Sequence, residues 1–213
     1  MKRKEVYATT GSRILVRVFG GWDFKPGDDQ RSDYVDLGYE KGVPMGGELH
    51  RDPAAAGQVY RGLAAAEAMQ AKGPNFLVIA LKDPIGGNLD RVQMIKGWLD
   101  SNGELHEQVY DIAWGDAEKR TMGPDGKIPP VGNTVDIPDA SWTNSIGDVE
   151  LSTVWQDPDF DSREQAFYYV RVLEIPTPRW TAYDAKRFGI TMSEEVPMTT
   201  QERAYTSPIW YVP

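Results

Sequence analysis

Seven short runs rich in β-branched and aromatic residues recur along the chain, at residues 13–22 ("RILVRVFGGW"), 75–83, 89–99 ("LDRVQMIKGWL"), 105–116, 149–157, 166–174 ("AFYYVRVLE") and 207–213. Each is closed by Gly, Pro, Asn or Asp, the residues that turn a chain or end a ladder. Segments this short bury their apolar side chains only by pairing, and no regular strand–helix–strand alternation links them. They predict a mainly β chain: an antiparallel two-sheet sandwich, immunoglobulin-like, with one or two short helices. It would be a sandwich without the usual disulfide, since the chain has no cysteine. The competing arrangement is an α+β domain in which a helix covers one sheet face.

Turn chemistry supports this order. In "DSNGEL" at 100–105, Asn102-Gly103 accepts the positive φ values of a two-residue hairpin turn, which would join 89–99 to 105–116 as an antiparallel pair. "GPDGKIPP" at 123–130 reads as a longer loop, with Pro129-Pro130 blocking ladder hydrogen bonds. Two places depart from the β pattern. Asp52 as N-cap, Pro53, an alanine-rich middle and Gly73 predict a helix over 53–72, weakened by Gly57 and Gly62. A shorter helix is expected over 182–188, stopped by Gly189, with Lys186 and Arg187 suited to its C-terminal end. The whole, 1–213, reads as one domain with an inserted helix near 53–72.

The balance of 32 acidic against 23 basic residues, a formal net charge of −9, disfavours nucleic acid and anionic membrane surfaces as partners. No stretch reaches the ~18 apolar residues of a membrane span. The opening "MKRKEVYATTG" runs directly into strand-like residues, which raises the expectation that Met1 heads a fragment.

Candidates for chemistry are few. The absence of cysteine removes thiolate nucleophiles and cysteine metal sites. Of the two histidines, His106 follows the expected hairpin turn as a solvated strand position, and His50, beside a glycine-rich loop and Asp52, is the better acid–base or metal candidate. Two separated histidines cannot supply a multinuclear hydrolase centre. Asp157, Asp159 and Asp161 alternate as in the opening of a calcium loop, but the glycine and glutamate of the EF-hand pattern are missing, Ser162 and Tyr168 standing in their places. An acidic, water-facing turn is the competing reading. The glycine pairs at 20–21, 46–47 and 86–87 match no phosphate-loop spacing and read as turns and bulges.

The run 166–174 holds the candidate contact residues. Tyr168, Val170 and Val172 face one way, and Phe167, Tyr169, Arg171 and Leu173 the other. Both faces are largely apolar, so the strand is expected to be covered on both sides, with Arg171 needing a carboxylate or aromatic partner. Beyond it, Pro176 and Pro178 are expected to forbid ladder pairing and draw "IPTPRW" into a polyproline-like path. Arg179 and Trp180 then have the composition of interface anchors, or of a plug for the domain's own core. Tyr169, Arg171, Arg179 and Trp180 are the interface or ligand-contact candidates.

In order along the chain, "YATTGSRILVRVFGGWDF", "GVPMGGEL", "FLVIALKDPIGGNLDRVQMIKGW", "VGNTVD", "VWQDPDFDSREQAFYYVRVLEIPTPRW" and "ERAYTSPIW" resemble the C-terminal part of the family catalogued as domain of unknown function 3604. The family pattern passes quickly from "GVPMGG" to the "FLV" strand, whereas about twenty residues intervene here, as an inserted helix would. Full-length members resemble the polymerase-and-histidinol-phosphatase (PHP) superfamily of metal-dependent phosphoesterases. Their metal ligands are expected upstream of "YATTG", so no ligand is carried onto this chain, and a divalent metal is implied only in the N-terminal region. The resemblance also suggests export or a periplasmic location. It implies a non-catalytic C-terminal β-sandwich that docks onto, or shapes the cleft of, an N-terminal PHP-like catalytic domain of the same protein, or that self-associates. The alternative is an independent ligand- or carbohydrate-binding module stacking on Trp22, Trp98, Trp142 or Trp180. An enzyme built on His50 is a third reading.

Overall fold

Alternation between buried and exposed side chains sets the two layers, as in the second strand, where Val16 and Val18 are buried and Leu15 and Arg17 face solvent. A computed structural model describes residues 2–50 and 73–213, so the helix expected over 53–72 lies outside the described residues. The elements in chain order are β1 (Tyr7–Thr9), β2 (Leu15–Gly21), a 3₁₀ turn (Asp28–Gln30), α1 (Tyr34–Lys41), β3 (Gly42–Pro44), β4 (Glu48–His50), β5 (Asn75–Leu81), β6 (Leu89–Leu99), β7 (Leu105–Trp114), β8 (Glu150–Gln156), β9 (Gln165–Glu174), β10 (Thr177–Pro178), α2 (Trp180–Phe188), β11 (Thr199–Thr200), β12 (Arg203–Thr206) and β13 (Ile209–Val212).

The smaller sheet runs β3-β2-β5-β8, antiparallel throughout. The larger is organised around β9. One edge of β9 pairs with β6 along nearly its full length, and β7 lies beyond β6. The other edge is shared: β12 pairs with residues 171–173 and continues to β1, while β13 pairs with residues 166–168 and continues to β4, the one parallel pairing among the described strands. The fold is mainly β, consistent with the expected sandwich. Between the sheets lie Val16, Val18, Phe76, Val78 and Ala80 from one side and Val92, Met94, Tyr168, Val170, Val172 and Ile209 from the other.

β5, unlike β9, is covered on both faces by apolar side chains. Phe76, Val78 and Ala80 enter the main core, while Leu77 and Ile79 join Phe19 and Phe24 in a second cluster on the opposite side of the smaller sheet, with Tyr34 and Val35 packed against it. In β9 the alternation is regular: Tyr168, Val170 and Val172 are buried, and Phe167, Tyr169, Arg171 and Leu173 are half-buried on an outer face. Aromatic composition misled the sequence reading, because large rings half-cover one another without a further layer above them.

α1 was not expected from sequence. Its eight residues carry Gly38 in the middle, which lowers helix propensity, yet that glycine is what the packing requires. A Cβ there would stand 2.5 Å from the Phe19 ring. The second helix is longer than expected at its N-terminal end and stops as expected at Gly189, in the left-handed region with φ 62°.

Two local expectations need correction. The hairpin between β6 and β7 forms, but its loop spans residues 100–104 and only Gly103 takes positive φ; Asp100 accepts hydrogen bonds from the Asn102 and Glu104 amides, closing a wider turn. The prolines of "IPTPRW" do not exclude a ladder. Thr177 and Pro178 pair with Thr200 and Thr199, and the Arg179 amide donates to the Met198 carbonyl. A two-stranded ribbon tolerates a proline where its missing N–H points away from the partner.

The long connection from β7 to β8 is fixed by charge. Buried Arg120 pairs with Asp90 at 2.6 Å and donates to the Pro129 and Gly115 carbonyls, while Asp111 accepts from Arg91 and from the Ile128 amide. Among the described residues no helix is long and apolar enough to cross a membrane.

Candidate functional site

Two of the four contact candidates, Tyr169 and Arg171, stand on the outer face of β9. Alternation places Phe167, Tyr169 and Arg171 in one row, and the register sets Trp210 of β13 opposite Phe167 and Tyr205 of β12 opposite Arg171. Phe167 and Tyr169 stack with ring centres 6.4 Å apart and planes 12° apart, and Trp210 lies 5.3 Å from Phe167. Opposite Phe167 on β6 is Gly97, where a Cβ would come 2.3 Å from the ring, so only glycine lets Phe167 lie flat on the sheet.

Of the two kinds of partner expected for Arg171, a carboxylate or an aromatic ring, no carboxylate pairs with it directly among the described residues, and Tyr205 stands opposite it. Arg171 Nε donates to Gln93 Oε1 at 2.8 Å, and Gln93 Nε2 donates to Asp111 Oδ1 at 2.7 Å, so the acid is reached through an amide relay. The charge is tolerable because the side chain is only half-buried. Tyr205 lies against two guanidinium groups: hydrogen bonding with Arg203 first, and with Arg171 as well, holds its phenol below the ordinary tyrosine range.

The other two candidates, Arg179 and Trp180, lie at the start of α2 beyond the β10–β11 ribbon, so sequence proximity to β9 does not bring all four into one site. Thr181 and Ala182 anchor α2 inward, with the Thr181 hydroxyl donating to the Pro197 carbonyl. Lys186 Nζ reaches Asp139 at 2.7 Å and ties the helix to the β7–β8 connection. The opposite side is unfilled: Trp180 is 62% exposed, and Tyr183, Phe188 and Ile190 are exposed too. Trp180 and Tyr183 are neighbours at i, i+3, and the Arg179 guanidinium sits 5.6 Å from the Trp180 ring centre. Trp180 is therefore no core plug. A groove of about 520 Å³ opens beside the C-terminal end of α2, lined by Ile137, Pro138, Ile190, Met192 and Met198 among others.

Of the remaining tryptophans proposed as stacking surfaces, Trp22 packs edge-on against Phe160 and Tyr211, Trp98 stacks on His106, and Trp142 is half-buried.

The alternating aspartates close one end of the sandwich, each with a different donor. Asp157 is buried, 2.7 Å from Lys96 Nζ and accepting from the Tyr168 hydroxyl at 2.7 Å; Asp159 accepts from Tyr110; Asp161 holds Arg163. A side-chain ammonium, itself buried, supplies the positive charge that the calcium reading assigned to an ion. Burial, then the Asp157 charge, pushes the Tyr168 phenol up, and the Arg163 hydrogen bonds hold Asp161 at about 2.

His50 ends β4, half-buried and 3.7 Å from Glu48. His106 is exposed on β7 as expected, and its ring bonds Asp100 at 3.0 Å. With Glu104 these two place ligand atoms within 4.8 Å of one another. The Asp100 carboxylate is already engaged by the turn: amide hydrogen bonds from Glu104, then the His106 ring, hold it at about 2.

Sequence reasoning passed over Glu174, which reads as an ordinary strand end. It is 1% exposed, and its Oε1 has no hydrogen-bond partner among the described residues. Burial, with the Glu202 and Asp83 charges nearby, pushes its carboxyl up to about 7, while Ser12 and the Gly87 amide beside it pull the other way.

No curated protein and no solved structure matches the chain. A family model does, over residues 1–213, and the chain belongs to that family, described as Protein of unknown function (DUF3604).

Proposed function

We propose that this chain is a non-catalytic β-sandwich, of immunoglobulin-like kind, that docks onto or shapes the cleft of a PHP-like, metal-dependent hydrolase domain of the same protein. The supporting observation is α2. A helix held by inward Thr181 and Ala182 and by the Lys186–Asp139 pair turns Trp180, Tyr183 and Phe188 to solvent. Neighbouring exposed aromatics on one short element mark a contact surface, and an arginine beside a tryptophan is a frequent interface anchor. The divalent metal of such a protein would belong to the docked domain.

The polar chemistry supports the same reading. Asp157, Asp161, Lys96 and Arg120 are spent on structural pairs within the fold. Assay of the purified chain on phosphomonoester and phosphodiester substrates with manganese or zinc is expected to give no turnover above the metal blank. Robust metal-dependent turnover overturns the proposal.

A further inference from the structure

We propose that the outer face of the larger sheet binds a small organic oxyanion, a carboxylate or phosphate ester with a flat apolar part, its charge held by Arg171 and Arg203 and its flat part on Tyr169 and Phe167. The site shares no residue with the α2 surface and does not rest on the docking reading.

Tyr205 is directly opposite Arg171, and Arg203 is opposite Leu173, so both arginines and the tyrosine project from the same face, with the arginines on a cross-strand diagonal. Each guanidinium is fixed through Nε: Arg171 on Gln93 Oε1 at 2.8 Å, Arg203 on the Gln201 carbonyl at 3.2 Å. The register places both guanidinium groups beside Tyr205, and neither arginine pairs with a carboxylate among the described residues. By contrast Arg31, Arg91, Arg120 and Arg163 each close on an aspartate.

Two like charges sharing one phenol repel, and in a chain of net charge −9 an acidic partner would be easy to supply from within. A carboxylate or phosphate group, with two or more free oxygens, accepts forked hydrogen bonds from both groups and removes the repulsion. Tyr205, held below the ordinary tyrosine range by the same two arginines, adds a third polar contact. On the far side, Ala8 of β1 stands opposite Tyr205 and leaves the approach open. Along β9, Tyr169 follows at about 7 Å, the spacing of side chains on one face, and Phe167 extends the platform to Trp210, which is 46% exposed. Ring faces beside a charge clamp suit a ligand that is anionic at one end and flat at the other.

The test is isothermal titration of the whole chain, at low ionic strength, with phenyl phosphate, phenylacetate and inorganic phosphate. Saturable binding of at least one aromatic anion is expected, tighter than inorganic phosphate; which one binds better distinguishes phosphate ester from carboxylate. Arg171→Gln and Arg203→Gln are each expected to weaken it by about tenfold or more, the worth of a hydrogen bond to a charged group. Arg203→Lys, which keeps charge but loses the fork, should fall between. Tyr169→Ala should remove the preference for aromatic anions while leaving phosphate affinity unchanged. Melting curves of each variant check that the fold is intact. Absence of saturable binding, unchanged affinity in folded Arg171→Gln and Arg203→Gln, or equal affinity for inorganic phosphate and both aromatic anions overturns the proposal.

Discussion

The Lys96 ammonium stands 2.7 Å from the Asp157 carboxylate with both side chains buried where the two sheets close, and Tyr168 donates its hydroxyl to the same carboxylate. Removing one member of such a pair leaves a buried charge without a counterion, so Lys96→Met or Asp157→Asn alone is expected to cost about 3–5 kcal/mol. The double variant should cost less than the sum, since neither charge remains. Urea unfolding of the four proteins measures this as a coupling energy. Millimolar calcium is expected to leave the melting temperature of the parent unchanged, because the ammonium occupies the cation's place.

Glu174 gives a pH signature of known sign. Its folded carboxyl titrates at about 7 and its unfolded one near 4.5, so the folded chain binds the proton more tightly. The group is therefore fully unfavourable above pH 7, and its penalty shrinks as pH falls towards 4.5. Glu174→Gln should raise stability at alkaline pH by about 1–3 kcal/mol and lose that advantage on acidification. The neighbouring Asp83 titrates in the opposite sense, its carboxyl held down by the Arg13 and Ile85 amides, so the measurement is the difference between variant and parent across pH.

Gly38 tests the seat of α1. In an open helix position Gly→Ala gains about 1 kcal/mol. Here the added methyl meets the Phe19 ring at 2.5 Å, and overpacking of that kind costs about 1–3 kcal/mol, so Gly38→Ala is expected to be neutral to destabilising in thermal melts. Leu37→Ala, at a buried position of the same helix, sets the scale for lost packing, with an expected cost of about 2–5 kcal/mol.

Trp180 and Tyr183 are expected to be dispensable for folding. Alanine at either should change stability by no more than about 0.5 kcal/mol, whereas Tyr168→Ala, which empties a fully buried site, should cost about 3–5 kcal/mol.

All seven predicted strands are present in the fold, because β-branched and aromatic runs bounded by turn residues report local pairing directly. The opening residues read as strand-like and form β1, but the short strands β3, β4, β10, β11 and β12 left no such trace: two to four residues cannot show a period. Partners of β9 were equally hidden, since β12 and β13 share one of its edges from segments that look alike in composition. The contact candidates were legible as residue types and not as places. Tyr169 and Arg171 needed Tyr205 and Arg203, some thirty residues onward, to become a clamp, and only register reveals that. Arg179 and Trp180 were readable as anchors, but whether the ring turned in or out depended on the Thr181–Pro197 contact across a loop.

The proposed docking is tested most directly by titrating this chain into a separately prepared PHP-like domain, the partner the proposal assigns, and repeating the titration with Trp180→Ala and Tyr183→Ala. Saturable one-to-one binding, weakened about tenfold or more by either substitution in a fully folded chain, is the expected result. No binding, or binding that both substitutions leave unchanged, would contradict it.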